Sequence, residues 1–261
     1  MLVSIITPTW NSSGTLPTTI ASVRAQTYEP IEHIIIDGGS TDQTLPLLRS
    51  QSSSRWISEP DGGLYEAINK GLSMAQGDIV GVLNADDFLA LPGTVEQLVG
   101  AMRGVDAVYG DVVYVNPHDL SRPVRYYSSA SFRPGMFLNG YMPAHPTFYA
   151  RRDLFRRFGM YRIDYAICAD YELLLRYMLI HGIHTRYVAG HHVTMRTGGV
   201  SNANPMSRLN LNREMVRACR DNGLSVRLPK MAWKYPHKIQ DFVRPQIRAG
   251  LLDTEWFAAF L

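Results

Sequence analysis

Two adjacent carboxylates, Asp86 and Asp87, stand in the segment GDIVGVLNADDF directly after an apolar stretch that runs from Ile79 to Leu83. The stretch is rich in β-branched residues and reads as a buried strand, so the acids lie where a strand leaves the core. Like charges about 4 Å apart repel by roughly 1 to 4 kcal/mol, depending on the local dielectric. A divalent cation turns that repulsion into attraction, and hard oxygen ligands suit Mg2+ or Mn2+. A further acid, Asp37, closes the apolar run HIIID. Doubly wound sheets place an acid at that point against the ribose or base of a nucleotide. The first loop, TPTWN, lacks the G-x-G-x-x-G turn that holds a dinucleotide, and the chain carries no P-loop. Phosphates would have to be neutralised in another way, and a cation on Asp86 or Asp87 provides it.

These acids need elements to hold them, and the first half of the sequence alternates strand and helix patterns. LVSIIT reads as a strand, followed by a helix from about Thr15 to Ala25 with Leu16, Ile20 and Val23 on one face. HIIID and RWIS are the next strands. A helix then carries Leu64, Ile68, Gly71, Leu72 and Ala75 inward and is closed by Gly77. DIVGVL is a fourth strand, and Val95, Leu98, Val99 and Met102 mark another helix. The order predicts an α/β fold, Rossmann-like, with a mostly parallel sheet and helices on both faces, and ligands at the carboxyl ends of its strands. Those ends carry TPTWN, DGGSTD and NADD. Farther on, AVYGDVVYV reads as a strand and MPAHPTFYARRDLF as a loop entering a helix. DYELLLRYMLIHG reads as a helix with Tyr171, Leu174, Leu175, Met178 and Leu179 inward, HTRYVA as a strand, and HHVTMRTGGVSN as a Gly-bearing loop able to act as a lid.

Composition sets the bounds. A chain of 261 residues, 46% of them hydrophobic, can bury one large core or two modest ones. The opening MLVSIITPTW lacks the basic start and long apolar segment of a secretory signal, and the two cysteines, Cys168 and Cys219, suit a reducing compartment, so a cytoplasmic location is expected. The longest apolar region, YELLLRYMLIHG, is cut by Arg176 and is shorter than the roughly 20 residues that span a bilayer. The net charge of +3 is unevenly spread, because Arg208 to Arg248 contains ten Lys and Arg residues against Glu214, Asp221 and Asp241.

VSIITPTWN, IIIDGGSTDQT, EPDGGLYEAINKGLSMAQGDIVGVLNADD and ADYELLLR, in this order and spacing, resemble the family-2 glycosyltransferases of GT-A fold, especially bacterial members that assemble surface polysaccharides. The resemblance covers about residues 3 to 200. It implies a nucleotide-diphospho-sugar donor across the strand ends, a UDP-sugar by default, a glycan or lipid-linked acceptor, Mn2+ or Mg2+, and an inverted product. Residues 1–205 would form the GT-A domain, with a nucleotide-sugar-binding half at 1–105 and an acceptor and base half at 106–205; residues 206–261 would be a basic, mainly helical extension. Pro8, Thr9 and Asn11 match first-loop positions set against the base, and Asp37 the acid for base or ribose. Asp61, Asn69 and Asn84 join them as candidate donor contacts. NADD matches the D-x-D-like signature with Asp86 on the metal and Asp87 beside it; Asn84 stands where an acid is often found. ADYE matches the catalytic motif with Asp170 as general base, and Ala169 stands in place of the usual Glu.

Each of these residues also has a purely structural reading. Asp170 can serve as a helix cap, Asp86 and Asp87 as a turn and a cap, and Asp61, Gly62 and Gly63 as a turn before a helix. Lys70 is read as a solvated lysine in preference to a phosphate contact, His145 as a contact to acceptor or metal or, as is commoner for a lone histidine, as structural, and neither His191 nor His192 as a ligand. Two rival functions share part of the pattern. A sugar nucleotidyltransferase would carry a Gly- and basic-rich loop near its start, yet TPTWNSSGT holds no Lys or Arg. A non-catalytic nucleotide-sugar-binding protein would have no use for both Asp86 and Asp170. Finally, Trp233, Tyr235 and Phe242 interleave with Lys230, Lys234, Lys238, Arg244 and Arg248. That mixture suits peripheral contact of 227–248 with an anionic membrane at its inner face rather than nucleic acid.

Overall fold

A computed structural model of the chain describes residues 1–51, 54–198, 205–228 and Met231. Its strands are β1 (Val3–Thr9), β2 (Ile31–Asp37), β3 (Arg55–Ser58), β4 (Ile79–Val82), β5 (Phe88–Leu89), β6 (Ala107–Asn116), β7 (Asp119–Tyr127), β8 (Tyr149–Arg151) and β9 (Thr185–Arg196). Among the described residues they form one sheet in the order β3-β2-β1-β4-β8-β6-β9-β5, with β7 paired to β6. The first four strands are mutually parallel, as the alternating pattern predicts. Beyond them β8 runs antiparallel to both β4 and β6, while β9 is parallel to β6.

The helices are α1 (Leu16–Arg24), α2 (Thr44–Arg49), α3 (Leu64–Met74), α4 (Thr94–Gly100), α5 (Arg152–Phe158), α6 (Ala169–Leu175) and α7 (Pro205–Asp221). A π turn, Arg176–Ile180, extends α6. Both sheet faces are covered, which is why every residue of β1 is buried. Val3 and Ile5 pack with Val95, Leu98 and Val99 of α4. Ile6 packs with Tyr65, Ile68 and Leu72 of α3 on the opposite face. Burial of each large aliphatic side chain contributes about 1.5 to 3 kcal/mol.

Helix α3 meets the sheet through Gly71, where an added Cβ would lie 2.4 Å from Ile6 Cγ2. Its inward stripe begins at Tyr65 and not at Leu64, which is 47% exposed at the first turn. A second correction concerns β9. HHVTMR belongs to this strand and not to a loop, and His191 and His192 are buried within it. Gly190, at φ 107°, and a register shift around Asp111 bend the strand and divide one apolar pattern into two apparent pieces. The TGGVSN lid falls only partly within the described residues, at Thr197 and Gly198.

From the expected C-terminal extension the structure describes α7, which packs on α6. Most of the basic segment 227–248 lies outside the described residues. Among the described residues no helix is long and apolar enough to cross a membrane.

Candidate active site

The carboxyl ends of β1, β2 and β4 bring their loops to one edge of the sheet, and hydrogen bonds fasten the loops together. Asn11 adopts a left-handed φ of 48°. Its Oδ1 accepts the Thr41 amide at 2.8 Å, and its own amide donates to Ser40 Oγ at 2.7 Å. The Ser12 amide donates to Thr44 Oγ1 at 2.9 Å, and that of Ser13 to Asp42 Oδ2 at 3.1 Å. Asp42 also accepts the Thr44 amide, and hydrogen bonding, from the Thr44 side chain above all, holds its carboxyl below the usual carboxylate range. Asp37 is fully buried and organises the second loop. It accepts the Gly39 and Ser40 amides at 3.2 and 3.0 Å and the hydroxyls of Ser40 and Ser58 at 2.5 and 2.7 Å. Asp61 stands next to this loop: a Cβ on Gly38 would lie 2.8 Å from Asp61 Oδ2. Pro8 and Thr9 end β1, and the buried Thr9 hydroxyl has no hydrogen-bond partner among the described residues.

At the end of β4 the two acids separate. Residues 84–87 form a turn, closed by the Asp87 amide donating to the Asn84 carbonyl at 3.0 Å, that leaves one acid outside and the other inside. Asp86 is exposed, whereas Asp87 is buried against Asn84, whose Nδ2 approaches Asp87 Oδ2 at 3.5 Å. Burial, reinforced by the charge of Asp86, pushes the Asp87 carboxyl well above the usual range. The buried Thr19 hydroxyl on α1 fastens this turn to the Ala85 and Asp87 carbonyls at 3.0 and 2.7 Å. Among the described residues no cluster of three or more His, Cys, Asp or Glu side chains is arranged to hold a metal. A cation here therefore has one outward carboxylate, Asp86, and would complete its shell with ligand oxygens and water, a donor set that suits Mg2+ or Mn2+ bound with phosphates.

Asp170 opens α6 at the first turn. The approach to it is held from two sides. Glu214 on α7 accepts the Ala166, Ile167 and Cys168 amides, each at 2.9 Å. The Tyr65 hydroxyl donates to the Ile167 carbonyl at 2.5 Å. Behind Asp170, Glu172 is buried and paired with Arg176 at 2.8 Å, and Asn222 donates to it at 3.1 Å. The Asp170 side chain keeps 18% of its surface exposed, and its Oδ2 lies 3.2 Å from His145 Nδ1. The 3-10 turn that carries His145 also packs against β4, the strand that leads to Asp86.

Asn69, a candidate donor contact, and its neighbour Lys70 have protein partners. Asn69 donates to the Tyr161 carbonyl at 2.7 Å and accepts the Tyr161 amide at 3.0 Å, so its amide clamps that loop. Lys70 pairs with Glu59 at 2.9 Å and Glu66 at 3.4 Å, and it also donates to the Pro60 carbonyl.

The sequence model of "Glycosyl transferase family 2" matches residues 4–166, from β1 through α5. The chain belongs to glycosyltransferase family 2. It is 37% identical over 186 residues to an uncharacterized glycosyltransferase of Mycobacterium tuberculosis, covering 68% of this chain and 69% of that one. A PGL/p-HBAD biosynthesis glycosyltransferase of Mycobacterium bovis is 31% identical over 211 residues, 76% of this chain and 78% of its own. Among solved structures, S. aureus TarS 1–349 in complex with UDP-GlcNAc superposes with a TM-score of 0.64 at 16% identity, over 86% of this chain and 68% of TarS. Mannosyltransferase PcManGT from Pyrobaculum calidifontis, in complex with GDP-Man and Mn2+, gives 0.61 at 16% identity, over 98% and 79%. These two likenesses show the GT-A fold. The nucleotidyltransferase and non-catalytic readings give way to a glycosyltransferase.

One residue of this glycosyltransferase escaped the sequence reading. Arg196, at the end of β9, donates to the Asp86 carbonyl and lies over the Phe88 ring at 5.3 Å. Its placement follows from β9 pairing with β5 immediately after NADD. His145, weighed in the sequence as an acceptor or metal contact or as structural, is set beside Asp170 by the turn before β8.

Proposed function

We propose that this family-2 glycosyltransferase moves a sugar from a nucleotide-diphospho-sugar, a UDP-sugar as first candidate, to a hydroxyl of a glycan or lipid-linked acceptor with inversion. The observation that carries the reading is the pair of acids on separate supports: exposed Asp86 at the end of β4, and Asp170 on α6 beside a turn that packs on β4. The complexes of TarS with UDP-GlcNAc and of PcManGT with GDP-Man and Mn2+ support a nucleotide sugar and a divalent cation. The relative named a PGL/p-HBAD biosynthesis glycosyltransferase supports sugar transfer within a biosynthetic pathway.

In this reading residues 1–105 take the donor. Pro8, Thr9, Asn11, Asp37 and Asp61 form the nucleoside side, with Asp37 acting chiefly through the loop it organises. Asp86 would hold Mn2+ or Mg2+ together with the donor phosphates, with Asp87 and Asn84 behind it, and the ion would offset charge on the leaving diphosphate. Arg196 adds fixed positive charge next to Asp86. On the half formed by residues 106–205, Asp170 accepts the proton of the acceptor hydroxyl as the new C–O bond forms and the bond to diphosphate breaks. The basic segment 227–248 would rest on an anionic membrane, where a lipid-linked acceptor resides.

The test is a thermal-shift screen of UDP- and GDP-sugars with and without Mn2+. A donor at 100 times its dissociation constant adds about 2.7 kcal/mol, a shift of several degrees for a chain of this size. Stabilisation that needs both nucleotide sugar and cation is the expected result. No shift from any nucleotide sugar, with or without Mn2+, would remove the donor assignment.

A further inference from the structure

His145 has a place and a set of partners that packing alone does not explain. Its 3-10 turn is rigid: Thr147 Oγ1 donates to the Ala144 carbonyl at 2.7 Å and accepts the Gly110 amide of β6 at 2.8 Å. Ser129 Oγ accepts the Ala144 amide at 3.0 Å. Pro146 and Thr147 are buried, yet the His145 side chain is 36% exposed. The histidines packed within β9, His191 and His192, are buried by contrast. The imidazole of His145 has one polar side-chain partner among the described residues, Oδ2 of Asp170, through Nδ1 at 3.2 Å.

The two oxygens of Asp170 are held differently. Oδ1 accepts the Tyr171 amide at 2.7 Å, within its own helix. Tyr65 Oη lies 3.4 Å from Oδ1, but its hydrogen goes to the Ile167 carbonyl at 2.5 Å. Oδ2, the oxygen left for chemistry, meets only His145 among the described side chains. A neutral imidazole facing a carboxylate through Nδ1 carries its proton on that nitrogen. The donated bond stops rotation of the carboxylate and leaves a second lone pair of Oδ2 for an incoming hydroxyl.

The geometry points to His145 as the positioning residue of the general base, its Nδ1–H fixing Oδ2 of Asp170 toward the acceptor hydroxyl. This rests on the reading of Asp170 as the base. During transfer the hydroxyl proton goes to the Asp170 carboxylate while the imidazole keeps its Nδ1–H on Oδ2. Its loss should cost roughly 10- to 100-fold in kcat, the usual effect of removing a group that orients a reacting one, and should leave the donor KM unchanged.

Two measurements on the full chain test it. Nitrogen-15 NMR of the imidazole is expected to show the Nδ1–H tautomer in the wild type and its loss in Asp170→Ala; a dominant Nε2–H tautomer in the wild type would overturn the proposal without any substrate. Kinetics with UDP-GlcNAc, UDP-glucose and GDP-mannose, read as released nucleoside diphosphate, compare three variants checked for an unchanged melting temperature. His145→Asn places an amide donor near the position of Nδ1 and should recover most of the kcat lost in His145→Ala, whereas His145→Gln, whose amide falls near Nε2, should not. His145→Ala with wild-type kcat, or His145→Asn as slow as His145→Ala, would overturn it. An active Asp170→Asn would instead remove the base reading itself, so the two failures are distinguishable.

Discussion

Asp170→Asn is expected to lower sugar transfer by roughly 10²- to 10⁴-fold, the usual contribution of a positioned general base, while leaving nucleotide affinity at its wild-type value. The substitution conserves shape. The Asn carbonyl can still accept the Tyr171 amide at the start of α6, and the loop before it remains held by Glu214 and Tyr65. Binding should survive because the donor loops at the ends of β1, β2 and β4 take no bond from Asp170. Isothermal titration of nucleoside diphosphate, paired with a transfer assay on the same preparation, separates the two effects. A folded Asp170→Asn variant with substantial activity would mean that another group takes the proton, and His145 would then be the first candidate.

Asp86→Ala should act on binding as well as on rate. Asp86 is the outward acid at the end of β4, so its loss should abolish the Mn2+ dependence of nucleotide affinity and weaken binding by about 3 kcal/mol, or roughly 100-fold in Kd. Asp87→Asn is the informative control. Its side chain is buried against Asn84 and is driven toward the neutral form, so an amide there should leave Mn2+-dependent binding in place. Equal nucleotide affinity with and without Mn2+ in the wild type would refute the metal role, and loss of Mn2+ dependence in Asp87→Asn but not Asp86→Ala would reverse the assignment.

The parallel half of the sheet was legible because its strands are buried on both faces. RWIS coincides with β3, and the runs ending at Asp37 and before Asn84 announce β2 and β4. The loops that carry TPTWN, DGGSTD and NADD follow from strand direction alone. Other features depend on contacts that local pattern does not encode. Helix α2 is six residues long and shows no full hydrophobic period, and β7 carries Pro123 and several charged residues on a strand that pairs only with β6. Gly190 made β9 look like a strand followed by a loop. Within the site, spacing identified Asp86 and Asp87 as a pair but not which one faces outward. The clamp of Asn69 on Tyr161 was hidden because the two lie 92 residues apart. The positions of His145 beside Asp170 and of Arg196 beside Asp86 arise only when β8 and β9 join the sheet.

The central claim is a single displacement in which one base, Asp170, activates a hydroxyl that attacks the donor sugar directly. Proton NMR of the first-formed product, recorded before mutarotation and compared with the donor's own anomeric signal, tests it most directly. The predicted result is an anomeric configuration opposite to that of the donor, whether the acceptor is a sugar hydroxyl or water. Retention of the donor's configuration would contradict the account, because it requires a covalent intermediate or internal return for which this arrangement of Asp86, Asp170 and His145 assigns no group.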